Sequence, residues 1–383
     1  MDRLNPEDYH FNDRLSFHTM WYDANSLQKQ LLLNFYPCDG TTELIDTQTN
    51  RTFLRRATLD GVGLKDMFLG NEIRVYSRQI KIVDYADDRT ARYVSKSNEH
   101  TVAVVKPDAF DMIGEIIKVI EDNNFRIANL KLCTLTRKDA MEFYDYLKEE
   151  TYSSFIMEHF ISGPIVAMEL VGENAVGRLN EILGPVCPVD ARKTSPNSLR
   201  AMYGTNRAIN ALHGSLSQQM AAREAKFFFA KYHQQPGLNC HSSACCVIKP
   251  HTIKGGNLGK IVSSILNCGF TFSAMEMFYL TNKTANEFLE VYKGVIDDYN
   301  ALVLSFLDGP CVAVQIFNAE KRDVHGEFRN ICGPYDPEVA KKIRPTTLRA
   351  NFGLDKYKNA VHCTDLPEDV EIELEYFFKI LNN

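Results

Sequence analysis

Val104-Val105-Lys106-Pro107-Asp108 has a second version further along the chain, Val247-Ile248-Lys249-Pro250-His251, and the fold follows from what else repeats with it. Gly114-Glu115-Ile116-Ile117 returns as Gly259-Lys260-Ile261-Val262. Ser162-Gly163-Pro164-Ile165-Val166-Ala167 returns as Asp308-Gly309-Pro310-Cys311-Val312-Ala313. Leu183-Gly184-Pro185, Leu199-Arg200-Ala201 and Asn210-Ala211-Leu212-His213 return as Cys332-Gly333-Pro334, Leu348-Arg349-Ala350 and Asn359-Ala360-Val361-His362. The blocks keep their order, and their offset drifts only from 143 residues at the lysine to 149 at the histidine. A slow drift of that size marks a duplicated domain, not a short solenoid repeat.

Each copy opens on an apolar strand, residues 102–105 and 244–248. An amphipathic helix follows, with apolar residues at Ile113, Ile116, Ile117 and Ile120, then at Leu258, Ile261, Val262 and Ile265. Spacings of three and four put these on one helical face. Residues 125–130 and 270–275 read as second strands, 165–170 as the next, and 217–229 as a late helix. This order predicts an α+β class, with two tandem ferredoxin-like α/β sandwich domains.

The first quarter of the chain reads differently. Residues 30–36 and 41–47 are strand-like around Pro37-Cys38-Asp39-Gly40, whose Asp-Gly pair is a hairpin signal. Gln48-Thr49-Asn50 turns into residues 51–56, and 72–85 supply two more strands, with little room for a helix beyond 64–69. A small all-β, PH-like module is expected. The division is then a tail over 1–14, the all-β module over 15–95, a first repeat domain over 100–229, a polar linker over 230–242 and a second repeat domain over 243–383.

Composition bounds the function. The chain has 383 residues, 45% of them apolar, enough for two or three domains with real cores. Its 43 Lys+Arg against 49 Asp+Glu give a net charge of −6, the wrong sign for a dominant nucleic-acid footprint, so no DNA partner is expected. No apolar run approaches 18 residues and Met1-Asp2-Arg3-Leu4-Asn5-Pro6 opens no secretory signal, so no membrane partner is expected either. The ten cysteines read as reduced cytosolic thiols. Cys240-His241-Ser242-Ser243-Ala244-Cys245-Cys246 lacks the second ligand pair of a zinc site, and no residue is assigned to a metal. Gly255-Gly256-Asn257-Leu258-Gly259-Lys260 imitates a P-loop, but Ile261 stands where a hydroxyl is needed.

What recurs is a lysine, an arginine, an asparagine and a histidine in one order. Lysine and arginine clamp phosphate oxygens, and histidine can act as a nucleophile. The segments (V/I)-K-P-(D/H), G-P before the central strand, (L/C)-G-P and N-x-x-H-(G/C)-(S/T) together resemble the nucleoside diphosphate kinases, over about 100–229 and 243–383. The resemblance implies ping-pong transfer of a γ-phosphoryl group from a nucleoside triphosphate to a diphosphate through a phosphohistidine, with Mg²⁺ on the phosphates. In the first copy it implies His213 as the principal nucleophile, Glu224 orienting it, and Lys106, Tyr144, Arg200 and Asn210 around the nucleotide, with Tyr152 stacking on the base. In the second it implies His362 and Glu373, with Lys249, Arg329, Arg349 and Asn359; the tyrosine partner is Tyr292 or is absent.

Both copies depart from the family pattern. In the first, Asn180 replaces a phosphate-binding arginine and Val186 a threonine, with Arg178 a candidate replacement two residues away. In the second, Tyr335 holds the threonine position, His251 the aspartate and Cys363 a glycine. The three-part layout also resembles family members in which a DM-ten domain precedes two kinase-like domains. That implies a protein of the cytoplasm and cytoskeleton, in the axoneme of a cilium or flagellum. The N-terminal module would meet tubulin or doublet-microtubule proteins there, and Arg51, Arg55, Arg56, Arg74, Arg78 and Lys81 are its candidate basic contacts. Weak catalysis and a purely structural role, in the doublet or at γ-tubulin complexes, are the rival expectations.

Overall fold

The computed structural model describes residues 13–22, 28–59, 61–76, 78–145, 153–232, 238, 242–318, 320 and 323–382. The chain divides into two units, residues 1–98 and 99–383.

The first unit is a six-stranded antiparallel sheet: β1 (Leu15–Tyr22), β2 (Gln28–Tyr36), β3 (Thr41–Asp46), β4 (Arg51–Thr58), β5 (Glu72–Val75) and β6 (Arg78–Tyr85). Its order is β4-β3-β2-β1-β6-β5. The expected turn is present, with Gly40 at φ +67°, a conformation glycine adopts without steric penalty. Strand β1 was not expected, although it pairs on both edges, because Ser16 and Thr19 are buried along with Leu15 and Phe17 and blur the apolar alternation. Those hydroxyls are satisfied internally, Ser16 Oγ on Asn34 at 2.8 Å and Thr19 Oγ1 on the Leu31 carbonyl at 2.9 Å. The module also carries a helix, Asp88–Ser97, although the sequence leaves little room for one beyond 64–69. Asp87 caps it by accepting from Thr90 N at 2.7 Å, and Val94 buries against the core with Phe17, Leu33, Ile80 and Ile82.

The second unit holds the repeat. Its strands are β7 (Glu99–Val105), β8 (Arg126–Cys133), β9 (Ile165–Gly172) and β10 (Leu212–Gly214), then β11 (Ser243–Ile248), β12 (Thr271–Phe278), β13 (Cys311–Phe317) and β14 (Val361–Cys363). They form one eight-stranded sheet, β10-β7-β9-β8-β12-β13-β11-β14, in which each copy supplies an antiparallel half. The halves meet where Lys131 of β8 faces Glu276 of β12, and those side chains pair at 2.9 Å.

On one face the helices Ile113–Asp122 and Leu258–Asn267 pack on each other inside a core that both copies share. The repeated glycines make this contact possible. A Cβ on Gly114 would lie 2.3 Å from Ser263 N, and one on Gly259 would lie 2.3 Å from Lys118 N. Gly259 of the P-loop lookalike therefore serves helix packing. Glu121 caps the N-terminus of the second helix, accepting from Leu258 N and Gly259 N at 3.0 and 2.9 Å. On the other face each copy keeps its own cluster, because strand side chains alternate: Ala103 and Val105 join the shared core while Val102 and Val104 join Phe143, Phe160 and Phe228. Cys245 and Cys246 sit buried on β11 as expected, while Cys240 and His241 lie outside the described residues.

Candidate functional site

Strands β10 and β14 are the outer strands of this sheet and carry the two histidines. His213 is registered opposite Val104 and His362 opposite Val247, so both rings point to the face of the separate aromatic clusters. The residue two before each histidine is in the left-handed region, Ala211 at φ +67° and Ala360 at φ +72°. That conformation costs an L-residue about 1 kcal/mol or more and is kept only where the surroundings impose it. Here Lys106 N bonds the Ala211 carbonyl at 2.8 Å, and Lys249 N bonds the Ala360 carbonyl at 2.9 Å. The lysine at the end of the first strand is thereby locked beside the histidine turn in both copies.

In the first copy His213 Nε2 lies 3.0 Å from Glu224 Oε2, an ion-pair distance but off the line of a hydrogen bond. Burial would raise the Glu224 carboxyl, yet the neighbouring His213 and the hydrogen bond from Ser215 hold it below its usual value. Ser215 Oγ donates to Glu224 Oε2 at 2.6 Å. Lys106 is buried, and its Nζ donates to Asn210 Oδ1 at 2.7 Å. Burial first, and the neighbouring Arg200 second, pull the lysine down to about 8. Arg200 donates to the Gly184 carbonyl at 2.8 Å and to the Leu212 carbonyl at 3.2 and 3.1 Å, tying the Gly-Pro loop to the histidine strand. The Phe143 and Tyr144 rings stand edge-on to the His213 ring, centroids 5.1 and 5.9 Å away. The structure thus gathers Lys106, Tyr144, Arg200, Asn210, His213 and Glu224; Tyr152 lies outside the described residues.

The second copy repeats the frame with different contents. His362 Nε2 is 3.0 and 2.9 Å from the two Glu373 oxygens, and Thr364 Oγ1 donates to Glu373 at 2.6 Å. Arg349 donates to the Gly333 carbonyl at 2.8 Å and the Val361 carbonyl at 3.2 Å, as Arg200 does. Lys249 is fully enclosed, and burial together with Arg349 pushes it well below an ordinary lysine. It donates to the Tyr357 carbonyl at 2.7 Å. Asn359 still donates to the Tyr335 carbonyl at 3.1 Å, as Asn210 does to Val186, but its Oδ1 has no hydrogen-bond partner. A cleft of about 280 Å³ opens here, lined by Lys249, Tyr335, Arg349, Asn359, His362 and Asp365 among others.

Three open points of the sequence reading close. Tyr292 is the counterpart of Tyr144, its ring 6.3 Å from that of His362. Arg178 does not replace the missing arginine: its guanidinium bonds the Asn123 carbonyl and lies 4.8 Å over the Phe125 ring. Asn180 takes over the arginine's structural bond alone, donating to the Ser215 carbonyl at 2.9 Å where Arg329 donates to the Thr364 carbonyl at 2.8 Å. Cys363 is accommodated as well. A Cβ on Gly214 would meet Leu183 Cδ1 at 2.4 Å, and in the second copy that leucine position is the smaller Cys332. Of the six basic positions in the N-terminal module, Arg56 is spent internally, paired with Asp39 at 2.6 Å and stacked 3.7 Å over Tyr36.

The repeated motif included Ser215 and Thr364 but gave no role to their hydroxyls, which fix the glutamates. Sequence reasoning missed Phe143 and Phe288, each 5.1 Å from its histidine. It also missed Asp108, whose carboxylate accepts from Ala211 N at 2.9 Å and pairs with His159 at 2.8 Å.

In the second copy Glu373 bonds Nε2, and in the first Glu224 lies 3.0 Å from it. A carboxylate accepts, so a neutral ring with its proton on Nε2 leaves the Nδ1 lone pair for attack. A buried lysine, an arginine and an asparagine surround it. Such an arrangement can stabilise an anionic phosphoryl group in transfer. Among the described residues no cluster of three or more His, Cys, Asp or Glu could hold a metal ion. This donor set fits a magnesium ion that arrives on nucleotide phosphates, the usual habit of that cation.

The profile of the nucleoside diphosphate kinase family matches residues 99–233 and 242–382. The chain is 42% identical over 384 aligned residues to nucleoside diphosphate kinase homolog 7 of Rattus norvegicus, covering 97% of this chain and 94% of that protein. A nucleoside diphosphate kinase of Chlamydia trachomatis serovar L2 is 42% identical over 135 residues, 35% of this chain and 94% of that protein. Among solved structures, the nucleoside diphosphate kinase of Aquifex aeolicus is 39% identical and covers 35% of this chain with 97% of its own, at a TM-score of 0.34.

Proposed function

The chain belongs to the nucleoside diphosphate kinase family, and from that premise we propose that it transfers the γ-phosphate of nucleoside triphosphates to nucleoside diphosphates through a phosphohistidine, chiefly at His213. Nδ1 of His213 attacks the γ-phosphorus. The P–N bond forms as the bond to the β,γ-bridging oxygen breaks, and the diphosphate leaves with that electron pair. A second diphosphate then attacks the phosphorus through a terminal β-oxygen and returns the ring to its starting state. Lys106 and Arg200 offset the charge spread over the transferring group, and Glu224 steadies the imidazole through Nε2. Magnesium on the phosphates would supply further charge neutralisation, and Asn210 would bond the nucleotide. The observation that carries the reading is the Glu224–His213 pair at 3.0 Å beside a buried Lys106 already fixed on Asn210.

The test is labelling of the purified full-length chain with γ-labelled ATP and Mg²⁺, for the wild type, His213→Ala, His362→Ala and both together. An acid-labile, alkali-stable label lost with His213→Ala is expected. A wild-type chain that is folded and binds ATP yet takes no label would sink the reading.

A scaffolding role is favoured by one pattern: contacts that hold the fold are kept in both copies, while phosphate-contacting positions drift in each. In that role we place the protein in the cytoplasm, on the microtubule cytoskeleton of a ciliary or flagellar axoneme, with the N-terminal module against tubulin or its doublet partners. The placement rests on the resemblance of that module. Cosedimentation of the full chain with microtubules, unchanged after Arg51→Glu with Arg55→Glu, would remove the basic strand from that contact.

A further inference from the structure

The second copy holds an anion of its own. Asp365, three residues beyond His362, lies with Oδ1 2.7 Å from Arg329 Nη1. Its Oδ2 accepts the Tyr292 hydroxyl at 2.6 Å. Arg329 is the arginine that the first copy lacks, and Tyr292 is the aromatic partner of His362. Asp365 lines the same cleft as Lys249, Asn359 and His362. The equivalent residue of the first copy is Leu216, 63% exposed and without charge. One acceptor in the cleft is left uncommitted, Oδ1 of the buried Asn359.

We propose that Asp365 is a resident competitor of the second site, holding the donors that nucleotide phosphate oxygens would take, and so sets how much phosphate charge a nucleotide needs to bind there. The proposal rests on the nucleotide reading above and adds to it a residue that fixes affinity and selectivity. Carboxylate and phosphate oxygens satisfy a guanidinium and a phenol in the same way, so binding at Arg329 requires Asp365 to let go. A nucleoside monophosphate lacks the charge to displace it, whereas a triphosphate or diphosphate has it. In the first copy Leu216 imposes no such threshold, and Asn180 stands in the place of Arg329.

The test uses the full-length chain carrying Lys106→Met, which removes the buried cation of the first site. Calorimetric titration with Mg-ATP, Mg-ADP and AMP compares this chain with the same chain bearing Asp365→Asn or Asp365→Leu, the latter copying Leu216. Asp365→Asn should bind Mg-ADP about tenfold tighter, because one charge-assisted hydrogen-bonding competitor is gone, and the spread between ATP and AMP should narrow. Thermal unfolding checks the fold, and if the leucine variant unfolds, the isosteric asparagine variant decides. Unchanged or weaker ADP binding by a folded Asp365→Asn chain overturns the proposal, since Asp365 would then be a strut that positions Arg329 and Tyr292. Tighter binding with no phosphohistidine label in the unsubstituted chain would keep Asp365 as the competitor and sink the kinase reading. No change on substitution, with the His213-dependent label intact, would do the reverse.

Discussion

In the first copy Asn180 donates to the Ser215 carbonyl at 2.9 Å, and in the second Arg329 donates to the Thr364 carbonyl at 2.8 Å. The bond that holds the histidine strand is conserved through the substitution, but the positive charge is not. The same division runs through both sites. Arg200 and Arg349 clamp equivalent carbonyls, Ser215 and Thr364 fix equivalent glutamates, and Phe143 and Phe288 face their histidines at the same 5.1 Å. Differences of charge fall at Asn180 for Arg329, Leu216 for Asp365 and Asp108 for His251, the last with loss of the bond that Asp108 accepts from Ala211 N. A duplicated domain under pressure to fold keeps its hydrogen-bond skeleton, because an unmade buried bond costs about 1–3 kcal/mol. Half-exposed charge such as that of Arg329 and Asp365 carries no such penalty and is free to diverge.

The comparison can be broken most decisively at position 180. Asn180→Arg should raise first-site phosphoryl transfer by about 10²-fold, the scale on which one preorganised charge-stabilising donor acts. Arginine can keep the carbonyl bond, as Arg329 does, and Leu216 leaves its remaining donors free. Single-turnover transfer to a diphosphate measures it, and an unchanged rate would mean that Asn180 is not what limits the first site.

Gly214→Cys tests whether the two copies have independent packing solutions. The new side chain would meet Leu183, and overpacking of this kind costs about 1–3 kcal/mol. Adding Leu183→Cys, which reproduces the Cys332–Cys363 pair, should recover most of the loss. Thermal unfolding of the single and double variants gives the coupling, and simple additivity would refute the compensation.

A smaller effect lies in the pH profile. Lys106 titrates at about 8 in its buried site, and only the protonated form can offset phosphate charge. First-site kcat/KM should therefore fall as pH rises through about 8, approaching tenfold per unit beyond it. Lys106→Arg should move that alkaline limb upward, because a guanidinium keeps its charge. A limb that stays in place would assign it to another group.

The smallest effect is expected at position 251. Burial, with Lys249 and Lys358 nearby, holds His251 down to about 4, so it is neutral where Asp108 is charged. Its ring nitrogens do not take up the bond that Asp108 accepts from Ala211 N. His251→Asp should stabilise the second copy by about 1 kcal/mol, the net worth of one recovered hydrogen bond. A drop in the unfolding temperature would show that the histidine is kept for its packing.

Much of this was legible in the chain. Apolar periodicity located the helices Ile113–Asp122 and Leu258–Asn267 and most of the strands. The ordered repeats singled out the lysines, arginines, asparagines and histidines that the structure gathers. Strand β1 escaped because two of its buried residues, Ser16 and Thr19, carry hydroxyls, and the helix Asp88–Ser97 because polar residues fill most of it. The glycine cluster at 255–260 showed only composition, and composition does not separate a phosphate cradle from a helix crossing.

The sequence alone determined that a domain was duplicated, which family it resembles, and in what order the site residues come, because those are matters of local pattern and of repetition. The tertiary structure decided how the copies share one sheet through Lys131 and Glu276, why Gly114 and Gly259 recur, and which partner completes each cavity. Tyr292 and Asp365 lie 73 residues apart, and Leu258 and Glu121 137 apart. Contacts over such separations depend on how helices and strands pack in three dimensions, and neither propensity nor spacing along the chain encodes which of many polar side chains will meet.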